Sequence, residues 1–329
     1  MARSWREWEK PLSDLEEGIR RLRELRDRVA PDKASALDSQ IEEFERKRDE
    51  YIRIKYGRLG AWERTLVARA ETRPYTLDYI RYLVDDWVEL HGDRRFADDK
   101  AIVGGLGRIG DRSCVIVGHQ KGRDLKSRQY RNFGMAKPEG YRKAIRLFQM
   151  ADRFNLPVVT FVDTPAADPG VESESRGISQ AIAEGMFAMF GLGVPSVSVI
   201  IGEGGSGGAI GIAIANRVLM LENSIYSVIP PEGCAAILWR DPTASDRAAA
   251  ALRLTAKDAL ELGLIDEIIP EGLGGAHRDP QETASNVKLA VARHLKALDS
   301  LSKEEIRAQR LQKFRNMGVV AEPAPTRDP

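Results

Sequence analysis

Three groups of residues in this chain have the types and spacing to do chemistry. Residues 202–208 read Gly-Glu-Gly-Gly-Ser-Gly-Gly, five glycines in seven positions. His119 and Asp163 each follow a short apolar run. A basic stretch carries Lys121, Arg123, Arg128 and Arg131. A glycine run between an apolar strand and a helix aims unpaired backbone N–H groups at one spot, where negative charge is stabilised. With no Cβ in the way, a ligand can approach that backbone closely. Five glycines exceed what tight packing asks for, so the run is expected to hold an anion.

The kind of anion is open at this level. No Lys-Ser or Lys-Thr follows the glycines, so the run is not a nucleotide P-loop. No acidic residue ends a second strand at the distance a dinucleotide fingerprint needs. Gly204-Gly205-Ser206-Gly207-Gly208 does fit Gly-x-Ser-x-Gly, the nucleophile elbow of serine hydrolases. His119 and Asp163 are the partners such a triad would need. In glycine-rich sequence that match arises easily. The remaining reading is an oxyanion hole without a nucleophile. Peptide N–H groups near Gly205 to Ala209 would face the charge at roughly 3–4 kcal/mol per well-placed donor. His119 otherwise reads as a core histidine, and Glu139 and Glu232 as helix-capping acids.

These groups need elements to hold them. Val197–Ile201 is β-branched and apolar, as a buried strand is, and Ala209–Ala215 suits a buried helix. Residues 202–208 fall between them as a loop. Pro157–Val162 reads as another buried strand ending at Asp163. Ala101–Leu106 and Ser113–Gly118 flank Gly110-Asp111 as a hairpin. Helices are expected over 140–154, 179–190, 235–239, 244–254 and 283–298, with short strands at 217–220, 225–228 and 264–269. Leu77, Ile80, Leu83, Val84, Trp87 and Leu90 repeat at helical period, so a helix is expected to run to Leu90 and cap at Gly92. Residues 1–60 differ: narrow apolar seams (Leu12, Leu15, Ile19, Leu22; Leu37, Ile41, Phe44, Tyr51, Ile52) in a charged background predict a helical hairpin broken at Pro31. Strand, loop and helix alternate through the remainder, which predicts an α/β core with a largely parallel sheet.

Composition narrows the function. The 329 residues are 43% hydrophobic and 30% charged, enough for a packed core. A formal net charge of +1 gives no support to nucleic-acid binding through bulk charge. No run nears the roughly 18 apolar residues of a membrane span. The N-terminus lacks an apolar signal core, so a cytoplasmic protein is expected. Two cysteines and four histidines exclude a four-cysteine zinc site in this sequence, and no metal is expected in it.

The motifs then converge. Pro74-Tyr75-Thr76-Leu77-Asp78-Tyr79, Leu90-His91-Gly92-Asp93-Arg94, Gly118-His119-Gln120-Lys121-Gly122-Arg123 and Asn132-Phe133-Gly134-Met135 occur in order. Pro138-Glu139-Gly140-Tyr141-Arg142-Lys143-Ala144, the glycine run and Pro231-Glu232-Gly233-Cys234-Ala235-Ala236 follow. Over about residues 5 to 315 the chain resembles the bacterial acetyl-CoA carboxylase carboxyltransferase α subunit family. The resemblance implies a crotonase-like ββα superhelix behind an N-terminal helical hairpin. It divides the chain into a hairpin (1–60), a carboxyltransferase core (61–275), a C-terminal helical segment (276–316) and a flexible tail (317–329). It implies transfer of a carboxyl group from carboxybiotin, held on the biotin carboxyl carrier protein, to acetyl-CoA, giving malonyl-CoA for fatty acid synthesis. The implied partners are a zinc-ribbon β subunit in an α2β2 assembly, the carrier protein and biotin carboxylase.

Carried onto this sequence, Gly205, Gly207, Gly208 and Ala209 become the catalytic donors. Gly204, Ser206, Gly170, Lys121, Arg123 and Arg131 become substrate or carrier contacts. One stretch departs from the family pattern. Asp163-Thr164-Pro165-Ala166-Ala167-Asp168-Pro169-Gly170 stands where members carry Asp-Thr-Pro-Gly-Ala-Tyr-Pro-Gly. A glycine and an aromatic are replaced in a loop expected to line the site. A serine hydrolase using Ser206 and a non-catalytic assembly subunit are the competing readings.

Overall fold

The structure is a computed structural model that describes residues 5–318. The expected tail lies outside the described residues, apart from its first two positions. Two long helices, α1 (Trp5–Arg26) and α2 (Pro31–Tyr56), open the chain, followed by α3 (Ala61–Ala68) and α4 (Thr76–Leu83). Next come β1 (Asp85–Glu89), β2 (Ile102–Ile109), β3 (Arg112–His119), α5 (Leu125–Tyr130) and α6 (Pro138–Phe154). The central units are β4 (Val158–Thr164), α7 (Val171–Ser175), α8 (Ile178–Gly191), β5 (Ser196–Gly205) and α9 (Ser206–Ile210). Then follow β6 (Arg217–Leu221), β7 (Ile225–Ser227), α10 (Pro231–Trp239), α11 (Ser245–Leu252), α12 (Ala256–Glu261) and β8 (Glu267–Ile269). Helices α13 (Pro280–Ala297) and α14 (Lys303–Arg315) end the described chain.

One sheet runs in the order β1-β2-β3-β4-β5-β6-β8, with β7 paired to the end of β5. β1, β2 and β3 are antiparallel, and every pairing from β3 to β8 is parallel. β4 is buried along its whole length and β5 nearly so, which fits the β-branched and apolar residues that dominate Val158–Val162 and Val197–Ile201. One face packs on α6 and α8 through Tyr141, Leu147, Phe148 and Met189. The other packs on α4 and α13 through Tyr79, Leu83, Val287 and Val291.

The helical hairpin is present and docks at its base. Leu12, Ile19, Ile41 and Ile52 are buried, whereas Phe44 and Tyr51 stay exposed. Glu9 accepts hydrogen bonds from Tyr56 and from Arg278 Nε at 3.0 Å, and His277 Nε2 lies 3.2 Å away. Burial alone would raise the Glu9 carboxyl, but His277, Arg278 and Tyr56 hold it at about 2. At the other end, Arg310 of α14 is fully buried and donates to the carbonyls of Met189 and Leu192 at 2.8 Å each. That helix is therefore part of the core packing.

Three local expectations are corrected. The helix predicted to reach Leu90 stops at Leu83, and residues 85–89 form an edge strand. Two glycines of β2 admit that strand: a Cβ on Gly105 would sit 2.0 Å from the Val88 carbonyl oxygen, and one on Gly107 2.2 Å from Val84 Cγ1. Gly92 has the expected positive φ, but it turns the chain after a strand and caps no helix. The predicted loop at 202–208 is mostly strand: β5 continues to Gly205, pairing Glu203, Gly204 and Gly205 with β7. Helix α9 starts at Ser206 and ends by Ile210, five residues earlier than expected. The short helices α3, α5 and α7 were not expected at all; each has too few turns to show a period.

Candidate functional site

The glycine run sits where β5 turns into α9. Helical geometry leaves the first N–H groups, those of Ser206, Gly207 and Gly208, without an acceptor in the helix itself. Ala209 is the first residue whose N–H can reach back to a carbonyl of the same turn, that of Gly205. It is fully buried, so it is the least accessible of the four expected donors. The Gly208 carbonyl points away from this spot and accepts from the Tyr141 hydroxyl at 3.2 Å.

Packing accounts for most of the glycines, contrary to expectation. A Cβ on Gly202 would lie 2.4 Å from Asp163 Oδ1. On Gly204 it would lie 2.8 Å from the Tyr226 ring. On Gly205 it would lie 2.0 Å from the Pro165 carbonyl oxygen, and on Gly208 2.5 Å from the Ala166 carbonyl carbon. The loop after β4 thus lies directly on Gly205 and Gly208. Gly207 is the exception: its nearest neighbour would be Ile182 Cδ1 at 3.4 Å, an ordinary contact, and its φ is not positive. Nothing in the fold requires glycine at 207.

Beside Gly207 lies an apolar cavity of about 290 Å³, lined by Ser206, Gly207, Tyr226, Val228, Leu264 and Phe314 among others. Burial pushes the Tyr226 hydroxyl up to about 12, so it remains a neutral hydrogen-bonding group. A larger groove of about 740 Å³ runs between α6 and α8 but touches none of the expected site residues.

Behind the run is a charged cluster that sequence reasoning missed. Lys121 Nζ lies 2.7 Å from Asp163 Oδ1 and 2.9 Å from Glu203 Oε1. Arg69 Nε bonds the other Glu203 oxygen at 2.7 Å and reaches Glu232 at 2.5 Å. The Glu203 N–H donates to Asp163 Oδ1 at 2.9 Å. Burial works against the Glu203 carboxylate, but Lys121 and Arg69 together hold it at about 2. Asp163 shares Lys121 and has no second cation, so burial wins and its pKa is raised. One layer further in, Arg73 pairs with Glu271 at 2.5 Å, both almost fully buried, and donates to the Ile201 carbonyl at 2.7 Å. A lone acid inside a glycine-rich buried strand was the available signal, since a buried charge needs a partner. Its cationic partners come from positions 82 and 134 residues away, which spacing does not reveal.

The other expected residues separate. Lys121 was expected to contact substrate or carrier; it turns inward onto Asp163 and Glu203, with its side chain 13% exposed. Arg123 stays on the surface, paired with Asp78 at 2.7 Å over the Tyr75 ring. Arg131 lies over Tyr130 and donates to the Lys100 carbonyl at 2.9 Å. Gly170 is exposed and caps α7. Glu139 and Glu232 do lie in first helical turns, and each also pairs with an arginine, Arg176 and Arg69 respectively.

The hydrolase triad is not assembled. His119 is fully buried with neither ring nitrogen hydrogen-bonded, and burial with Lys121 nearby pushes its pKa down to about 3. Asp163 is committed to Lys121 and the Glu203 N–H. The divergent loop is braced by its own aspartate: Asp168 accepts from Asn132 Nδ2 at 3.1 Å and from Ser173 Oγ at 2.5 Å. Its charge is used within the loop. Among the described residues, no three His, Cys, Asp or Glu side chains gather as a metal site, and no helix is long and apolar enough to cross a membrane.

Comparison with known proteins agrees across the whole described chain. A family model described as acetyl co-enzyme A carboxylase carboxyltransferase-like matches residues 5–318. A Geobacter metallireducens protein named acetyl-coenzyme A carboxylase carboxyl transferase subunit alpha is 52% identical over 316 residues, covering 96% of this chain and 98% of its own. A Thermus thermophilus protein of the same name is 51% identical over 317 residues, covering 96% and 99%. Among solved structures, transcarboxylase 12S aligns with a TM-score of 0.55 at 20% identity, over 78% of this chain and 44% of that one. A Pseudomonas malonate decarboxylase hetero-tetramer in complex with coenzyme A aligns at 0.55 and 17%, over 66% and 86%. These structural likenesses show the crotonase-like fold.

Proposed function

The chain belongs to the acetyl-coenzyme A carboxylase carboxyltransferase α-subunit family, and from that premise we propose that its β5–α9 junction holds the biotin side of carboxyl transfer to acetyl-CoA. Carboxybiotin, carried on a partner protein, supplies the carboxyl group, and its loss leaves negative charge on the ureido oxygen. The N–H groups of Gly207 and Gly208 face that charge, with Ala209 behind them. Neutral, preorganised donors suit this task, because they cost no reorganisation as charge develops. The cavity beside them has an apolar lining for a small bicyclic ring.

One observation carries the reading: Gly207 is the glycine that packing leaves unexplained, and it lines the cavity. The Lys121–Asp163–Glu203–Arg69 cluster holds the end of β5 from behind and touches no substrate. A second hole is needed for the acetyl-CoA enolate, and this chain has one glycine run of this kind. A β subunit with its own zinc ribbon therefore completes the site, and the working assembly is α2β2 in the cytoplasm. Arg123 and Arg131, both at the surface, and Gly170 remain contacts for the carrier or for coenzyme A.

The test is reconstitution with a β subunit of this family. Acetyl-CoA formation from malonyl-CoA is expected only when both subunits and biocytin are present. A stable complex with no turnover would leave an assembly subunit as the answer. Labelling of Ser206 by a fluorophosphonate would instead favour a hydrolase.

A further inference from the structure

Ser206 is in a conformation that its neighbours would adopt more cheaply. Its φ is +50°, in the left-handed region. The five glycines around it, at 202, 204, 205, 207 and 208, all have φ outside that region. The one position in the run that favours glycine carries serine. Among the described residues seven other non-glycine residues take positive φ: Asn155, Arg240 and Arg253 where a helix ends, Asp86 at the irregular start of β1, and Arg94, Asn132 and Phe133 in the connections between elements. Ser206 stands at the start of a helix, where its φ turns β5 directly into α9.

Its hydroxyl is also unspent. Among the described residues Ser206 Oγ makes no hydrogen bond, and the residue is partly exposed. It lines the same cavity as Gly207. The neighbouring hydroxyl, Ser227 Oγ, is committed to the Ile229 backbone at 2.8 Å. The other walls at Val228, Leu264, Phe314 and Met317 are apolar. A non-glycine residue held in a sparsely populated backbone conformation, with an unpartnered hydroxyl beside a cavity, is a pointer to function.

We propose that the Ser206 hydroxyl is a substrate contact, donating a hydrogen bond to an oxygen of the carboxylated ureido group in this cavity. This rests on the carboxyltransferase reading above. No covalent step is involved, because neither His119 nor Asp163 is placed to take the hydroxyl proton. The hydroxyl adds a side-chain donor beside the Gly207 and Gly208 N–H groups. A donor to a developing anion acts mainly on the rate of transfer.

The experiment uses the complex with a β subunit and two variants. Ser206→Ala removes the hydroxyl and keeps the strained backbone; Ser206→Gly removes both. Melting temperature, and kcat and KM for biocytin and for malonyl-CoA, are measured for each. Both variants are expected to lose about tenfold or more in kcat, with the malonyl-CoA KM unchanged. Ser206→Ala melts with the wild type, and Ser206→Gly melts at the same temperature or higher. Wild-type biocytin kinetics in either variant overturn the proposal. So does a loss of activity that tracks a lowered melting temperature, or one that appears in the malonyl-CoA KM. A wild-type complex with no biocytin-dependent turnover removes the underlying reading, and this proposal with it.

Discussion

Lys121→Met is expected to destabilise the folded subunit by about 3–5 kcal/mol. The substitution leaves the Asp163 and Glu203 carboxylates buried without their shared cation, 2.7 and 2.9 Å from where it was. Arg69 still faces Glu203, so Asp163 bears most of the cost. The pH dependence separates this mechanism from simple loss of packing. In the wild type, burial opposes the Glu203 carboxylate but its cations hold the pKa at about 2, below the ordinary 4.5. That contribution is present at pH 7 and is lost only as pH falls toward 2. In the variant Asp163, whose pKa burial already raises in the wild type, loses Lys121 and is raised further, so the folded variant binds more protons near neutral pH than the folded wild type does. Its stability relative to wild type therefore recovers as pH falls from 7 to 5. Denaturant titrations at the two pH values read this directly. A deficit that is the same at both would mean the cluster is not held by charge.

Gly205→Ala is expected to be nearly as damaging, for a steric reason. The added methyl would lie 2.0 Å from the Pro165 carbonyl oxygen, 2.4 Å from its carbon and 2.7 Å from the Thr164 carbonyl oxygen. Ordinary contact is about 3.5 Å or more, and all three atoms are backbone. The loop after β4 has to lift off β5. A cost of about 3 kcal/mol or more follows, which lowers the melting temperature by roughly 5–10 °C. The same loop covers Gly208, so the donors are disordered along with it. Thermal melts of the isolated subunit check the size, and an unchanged melting temperature would show that the loop can move freely.

Much of this arrangement was legible in the sequence. The strand–glycine–helix order of 197–210 was read correctly, and long periodic segments such as α6 and α13 were read within a few residues. The misreadings have local causes. Trp87 and Leu90 continued a helical period by coincidence, while Gly105 and Gly107, on another strand, decided that residues 85–89 would pair. The glycines of the run looked alike in sequence, yet four answer to neighbours brought in from Asp163, Pro165, Ala166 and Tyr226. Lys121 looked like a surface base in a basic stretch, and only the fold shows its carboxylate partners 42 and 82 residues on. The resemblance to a family supplied the substrate; the residues alone reached an anion hole with its ligand unnamed.

The central claim is that Gly207 is glycine because a substrate lies against it. Gly207→Ala tests it most directly. Alanine suits a helical position better than glycine by roughly 0.5–1 kcal/mol, and the new Cβ meets only Ile182 at 3.4 Å. The variant is therefore expected to fold, assemble with the β subunit and melt at or slightly above the wild-type temperature. Its kcat/KM for biocytin in malonyl-CoA decarboxylation is expected to fall about 10- to 100-fold, as the methyl group displaces the reacting oxygen from its donors. A Gly207→Ala complex that melts normally and transfers carboxyl groups at the wild-type rate would contradict the account.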